Sequence, residues 1–147
     1  ETRGGTRRGT PVYVPVAGTA IVTSSLYGEW EVEGLLDGFW RLVEVGALPR
    51  PGSQDEEHAE LPFAFEAGGS TWQGVIDRLT RAGDAWTLDD YKTDRRLDPG
   101  RYHFAMATYV RAVELVRGVR PVARLVDLRK RRVVRPSVLP IRFQTEL

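Results

Sequence analysis

The sequence contains no cysteine, which excludes disulfides, zinc–thiolate sites and iron–sulfur clusters together. It also lacks a run of about 18 apolar residues, the length a membrane-spanning helix needs. No secretory signal is visible, so a cytoplasmic protein that does not enter a membrane is expected. Internal repeats and low-complexity segments are absent too. Net charge is small, +1 from 21 basic and 20 acidic residues, but that balance hides a separation. Residues Glu29 to Glu66 hold ten acidic side chains against Arg41 and Arg50, whereas Arg117 to Arg135 hold eight basic ones against Asp127 alone. Such segregation either steers a polyanion onto one face or reflects an arginine-rich, solvated surface. The chain starts at Glu1 with no initiating Met, as expected of a piece of a longer protein.

What remains suits a single domain. At 147 residues, 41% hydrophobic and 28% charged, the chain can bury a core of ordinary composition. Residues 1–10 are Gly/Arg/Thr-rich and expected to be flexible, with Arg3, Arg7 and Arg8 free to meet phosphate. From Thr10 to Ala17, Pro11 and Pro15 oppose a helix and the β-branched residues favour an extended path. Glu29 to Val45 predicts a helix, because Val32, Leu35, Leu36, Phe39, Trp40 and Val43 form one apolar face. Glu29, Glu31 and Glu33 suit the positive end of its dipole. Gly34 and Gly38 weaken it, and Gly46, Pro49 and Pro51 end it. Trp30 and Trp40 read as core side chains in preference to ligand-stacking ones.

A polar loop is expected from Gly52 to His58, then a strand from Ala59 to Glu66 and a turn at Gly68-Gly69. Two further strand-like runs meet at Gly83-Asp84, so an antiparallel meander spans roughly Glu60 to Tyr91. A second helix is well punctuated: Asp98 caps it, Pro99 takes its first position, and Gly118 with Pro121 closes it. Tyr102, Met106, Tyr109, Val113 and Val116 form its apolar stripe. A crossover from the Lys92 strand through this helix to Val122–Leu128 makes a parallel strand pair. Two short strands flank the basic turn Arg129-Lys130-Arg131-Arg132, which can grip a phosphate backbone.

The chemistry is concentrated between Gly74 and Thr93. Alternation along a strand puts Asp90 and Lys92 on one face, with Tyr91 and Asp89 on the other. Asp77 is expected to share a face with Val75 and Leu79. Pairing of the two strands then converges Asp77 and Asp90, with Lys92 beside them. Two carboxylates so placed repel each other, and desolvation adds several kcal/mol per ion. A divalent cation with hard oxygen ligands resolves this, and magnesium needs only one or two protein carboxylates plus water and phosphate. Glu60 is either a third acid of this group or a surface residue. His58 is a metal ligand or a solvated side chain, and His103 a phosphate contact or an exposed helix residue.

The run Asp77, twelve intervening residues, then Asp90-Tyr91-Lys92-Thr93 resembles the core motif of the PD-(D/E)XK nuclease superfamily. It is more closely similar to the RecB/AddA-type nuclease domain associated with UvrD-like helicases. Glu60-Leu61-Pro62-Phe63, Gly74-Val75-Ile76-Asp77-Arg78 and the Tyr-containing helix carry the likeness over residues 60–128, about half the chain. The resemblance implies an α/β, restriction-endonuclease-like core in which a central mixed β-sheet, antiparallel meander plus parallel crossover strand, is flanked by helices. It implies catalysis by Asp77, Asp90 and Lys92, with Mg2+ or Mn2+ held by Asp77, Asp90, the Tyr91 carbonyl and Glu60. It also implies DNA as substrate, contacted by Tyr109 and by Arg129, Lys130, Arg131 and Arg132, an exonuclease role in repair or recombination, and a helicase partner or fused domain. Lacking a four-Cys cluster, the chain is similar to the branch without one. Two departures stand out. Tyr13 occupies the place of a metal-site His, and a phenol is a poor magnesium ligand near neutral pH; Ala105 stands where a Gln is usual. They favour one alternative, a catalytically weakened nuclease-fold module that binds DNA; a second, an interaction domain that docks on a helicase or recombination partner, predicts a large exposed apolar patch.

Overall fold

The computed structural model describes residues 12–16, 19–23 and 29–136, with side chains from 31 to 136. The arm 1–10, the tail 137–147 and the side chains of Tyr13 and Trp30 lie outside the described residues. Strands β1 (Val12–Val16) and β2 (Thr19–Thr23) form an antiparallel pair with Tyr13 opposite Val22. Over residues 12–16, which include Pro15, the expected extended path is the one found.

Five further strands build the central sheet: β3 (Glu56–Ala67), β4 (Ser70–Ala82), β5 (Ala85–Lys92), β6 (Val122–Asp127) and β7 (Arg132–Val134), in the spatial order β3-β4-β5-β6-β7. The first three form the antiparallel meander. β5 and β6 run parallel, and β7 returns antiparallel to β6. Helices α1 (Glu29–Glu44) and α2 (His103–Arg117) flank this sheet. The expected mixed sheet with an antiparallel meander and one parallel crossover pair is therefore present.

Each helix buries its stripe in a separate cluster. Leu35, Phe39, Leu42 and Val43 of α1 pack with Leu48, Val126 and Leu128. Met106, Val110 and Val113 of α2 pack with Ile76, Leu79, Leu88 and Leu125. Leu125 and Val126 are adjacent on β6 yet enter different clusters, as a strand covered on both faces requires. Trp40 meets Phe39 edge-on at 5.3 Å and borders the α1 cluster. α1 approaches the sheet closely at Gly38: a Cβ there would lie 2.4 Å from the Leu128 carbonyl oxygen. The residue expected to weaken the helix is thus one that lets it dock.

Three local expectations need correction. β3 starts at Glu56, not after a loop reaching His58. Its first residues pair with β4, Glu56 opposite Arg81 and His58 opposite Leu79. Ion pairs from Glu57 to Arg78 and from Glu56 to Arg81, both at 3.3 Å, favour a strand that polar composition alone disguises. A 3-10 turn at Pro99–Tyr102 precedes α2, with Asp98 accepting from the Gly100 N–H at 3.2 Å. Val116 lies off the buried stripe and is 70% exposed. At the far end, Gly118 takes the left-handed cap conformation at φ 74°, where a side chain would be strained.

Candidate active site

Strand register lines up three acids. Ala59 pairs with Arg78 and Leu61 with Ile76, which sets Glu60 opposite Asp77. Arg78 pairs with Asp89, so one step on sets Asp77 opposite Asp90. The pairing is interrupted along this line. Glu60 adopts φ 52°, a left-handed conformation that costs a non-glycine residue about 1–2 kcal/mol. Burial along β4 changes phase at the same point: Val75 is 48% exposed while Ile76 and Leu79 are each 1%. Ile76 and Leu79, three residues apart, enter the same cluster, so strict alternation is broken between them.

The carboxyl groups of Asp77 and Asp90 come within hydrogen-bonding reach of each other. The Tyr91 backbone N–H donates to Asp77 Oδ2 at 2.8 Å, and Lys92 Nζ lies 2.9 Å from Asp90 Oδ2. Burial, then the Asp90 charge and the hydrogen bond between the two acids, push the Asp77 carboxyl up to about 8, against the opposing pull of the Tyr91 N–H and Lys92. At neutral pH Asp77 retains a proton in the absence of a cation. Glu60 Oε2 is buried with no hydrogen-bond partner among the described residues.

Tyr109 projects from α2 toward the same place. Its ring meets Phe63 edge-on at 5.7 Å, and burial, with help from the Asp90 and Asp77 charges, pushes its phenol up to about 12. Gly74 leaves room for both rings, since a Cβ there would sit 3.0 Å from Phe63. Ala105, on the first turn of α2, is half-buried.

On the α1 side, β4, β5 and β6 carry a buried ionic layer. Arg78, 1% exposed, pairs with Glu57 and donates to the Pro49 carbonyl at 3.4 Å. Asp89 is fully buried and takes two bonds from Arg124, at 2.7 and 3.0 Å. Arg124 also reaches the Ala47 carbonyl at 3.0 Å. Asp89 is thus engaged structurally, on the face its alternation predicts.

Other residues singled out from the sequence lie elsewhere. His58 bonds Glu56 at 2.7 Å and Arg117 at 3.4 Å, while His103 opens α2. In the basic turn, Arg129 reaches Glu31 and the Thr93 carbonyl, each at 2.6 Å. Arg131 pairs with Asp37 at 2.8 Å and Arg132 with buried Asp127 at 3.1 Å. The Lys130 N–H also donates to Asp127, but its side chain is exposed.

Two residues near Lys92 escape the sequence reading. Lys92 Nζ sits 4.0 Å over the ring of Tyr102, and the Tyr102 hydroxyl donates to Asp94 Oδ2 at 2.5 Å. The helical pattern places Tyr102 in an apolar stripe, and nothing in its spacing from Lys92 signals the contact.

The donor set fits a hard divalent cation. Two carboxyl groups meet there, and the acid opposite Asp77 has a buried oxygen without a partner. Among the described residues, no group of three or more His, Asp or Glu side chains is gathered as a metal site. Asp77 and Asp90 are brought together, whereas Glu60 is in line without completing such a group. A cation held by two carboxylates, with water and phosphate as its other ligands, is the mode magnesium favours.

A scan against protein families matches residues 20–140 to the PD-(D/E)XK nuclease superfamily. No curated protein matches the chain. The family match covers well over half of the sequence, and the mixed sheet flanked by two helices agrees with it. The chain belongs to the PD-(D/E)XK nuclease superfamily.

Proposed function

We propose that this protein is a metal-dependent deoxyribonuclease of RecB/AddA type that hydrolyses phosphodiester bonds at DNA ends during repair or recombination. Superfamily membership suggests a metal-dependent nuclease and implies DNA as substrate. The observation that carries the reading is the contact between Asp77 and Asp90 with Lys92 Nζ 2.9 Å from Asp90. Asp77 and Asp90, with the Tyr91 carbonyl, would hold Mg2+ or Mn2+, which when bound lowers the pKa of a water and offsets charge on the phosphate. The Tyr91 N–H fixes Asp77 Oδ2, so the orientation of that carboxyl is set before substrate arrives. Asp77 must release its proton to serve as a ligand, which favours activity on the alkaline side of neutrality. Lys92, a compact cation, orients the attacking water or binds a phosphate oxygen as charge develops. Tyr109 and the exposed cations Lys130, Arg95 and Arg96 are our candidates for contact with the DNA strand. Arg129, Arg131 and Arg132 would have to exchange an acidic partner for phosphate.

A docking role on a helicase is the second reading. It is favoured by an apolar groove of about 350 Å³ between β3 and α2, lined by Leu61, Phe63, Phe65, Val113 and Val116 among others. None of the three aligned acids lines that groove.

The deciding assay mixes purified protein with end-labelled single- and double-stranded DNA in magnesium, manganese or EDTA. Degradation is expected with metal and is lost in Asp90→Ala and Lys92→Ala. Degradation that persists in EDTA, or in both variants, would falsify the metal-nuclease reading. No cleavage under any condition, with salt-sensitive DNA binding retained, would favour a binding module.

A further inference from the structure

We propose that Tyr102, held by Asp94, is a positioning residue for the Lys92 ammonium; the proposal rests on the nuclease reading of Lys92. A lysine is a point charge on a flexible stem, so placing it at one spot means restraining several rotors. Two contacts restrain this one. Asp90 Oδ2 lies 2.9 Å from Nζ, and the Tyr102 ring lies 4.0 Å from it. An ammonium over an aromatic face is attracted by the ring quadrupole, more strongly where water is excluded. Here Lys92 is only 21% exposed and Tyr102 packs against the α2 cluster.

The ring is itself restrained. Its hydroxyl donates to Asp94 at 2.5 Å, a charge-assisted bond stronger than a neutral one. The same bond, with burial, pushes the phenol pKa up, so the ring stays neutral and the hydroxyl stays a donor. The path of the chain makes this possible. Asp94 follows two residues after Lys92, and the 3-10 turn at Pro99–Tyr102, capped by Asp98, folds Tyr102 back over the end of β5. Strand end, connection and helix start thus close a loop of contacts from Lys92 through Tyr102 to Asp94. A cation on Asp90 would compete with Lys92 for that carboxylate, and the ring is the contact left to hold the ammonium in place.

The test uses Tyr102→Phe, which keeps the ring, Tyr102→Leu, which removes it, and Asp94→Ala, which leaves every core side chain in place. In the metal-free protein, NMR should show the Lys92 ε-methylene protons shifted upfield by the ring. That shift is expected to diminish alike in Tyr102→Phe and Asp94→Ala, each of which breaks the hydroxyl–carboxylate bond, and to vanish in Tyr102→Leu. In cleavage assays Tyr102→Leu is expected to lower kcat about tenfold, the scale of a desolvated cation–π contact, with KM nearly unchanged. Tyr102→Phe, which keeps the ring over Lys92, should recover part of that loss. No ring shift in the parent protein overturns the proposal, and so does a loss of kcat in Tyr102→Phe equal to that in Tyr102→Leu. A ring shift with no cleavage by any form overturns the nuclease reading and the catalytic part of the proposal, while the Lys92–Tyr102 contact stands.

Discussion

At the scale of single residues, Asp77 carries a cost that the fold accepts. Its carboxyl ionises near pH 8 when folded, against 3.8 for an unperturbed side chain, because it is buried beside Asp90. Between those values the metal-free folded protein keeps a proton that the unfolded chain has released. The resulting stability is full below about pH 4, falls by roughly 1.4 kcal/mol per pH unit as pH rises, and is gone above pH 8. Thermal melts in EDTA should therefore show wild type losing ground to Asp77→Asn from pH 4 to pH 8. Parallel curves would mean that the acid is not perturbed in this way. Glu60 carries a second cost, at φ 52° with a buried, unpartnered oxygen. Strain of this kind collects at functional sites. Glu60→Gly should raise stability by about 1 kcal/mol in denaturant titration while slowing metal-dependent cleavage. A variant less stable than wild type would show that the Glu60 side chain holds the strand instead of straining it.

At the scale of elements, the two helix glycines make opposite predictions. A Cβ on Gly38 meets the Leu128 carbonyl oxygen at 2.4 Å, whereas one on Gly34 meets nothing within 4 Å among the described residues. Gly38→Ala is expected to destabilise by about 1–3 kcal/mol through overpacking, and Gly34→Ala to stabilise by about 0.5–1 kcal/mol through helix propensity. Unfolding midpoints decide, and equal effects would contradict the close approach of α1 to the Leu128 backbone just past β6. Composition and periodicity make both glycines look alike, because the difference lies in a backbone more than eighty residues away. The meander and the opposition of Asp77 to Asp90 are legible because alternation and hairpin length are local, and the parallel pair because a strand–helix–strand crossover permits little else. The early start of β3 is not, since Glu56 and Glu57 read as loop until Arg81 and Arg78 are set across from them. Tyr102 is hidden for a similar reason: its contact depends on a 3-10 turn that helical spacing does not reveal.

At the scale of the whole molecule, the separated charges of the sequence largely meet each other. Arg129 pairs with Glu31, Arg131 with Asp37 and Arg117 with Glu56, so basic C-terminal segments neutralise acids on α1 and β3. Arg95 and Arg96 are exposed on the connection just past Lys92, with no acidic partner among the described residues. Each phosphate contact adds about 0.9 to the slope of log affinity against log salt for duplex DNA. Removing both Arg95 and Arg96 should flatten that slope by up to about 1.8, and removing Arg131 and Arg132 by less. The reverse order would return the DNA contact to the basic turn.

Both the register of the acids and the raised pKa of Asp77 bear on whether the two carboxyl groups share one cation. Calorimetric titration of Mn2+ into the protein without DNA, from pH 6.5 to 8.5, measures this directly. The expected result is one ion bound, with affinity rising about tenfold per pH unit below pH 8 as a proton is displaced, and with binding lost in both Asp77→Asn and Asp90→Asn. Affinity that ignores pH, or that survives in either variant, would contradict a shared site.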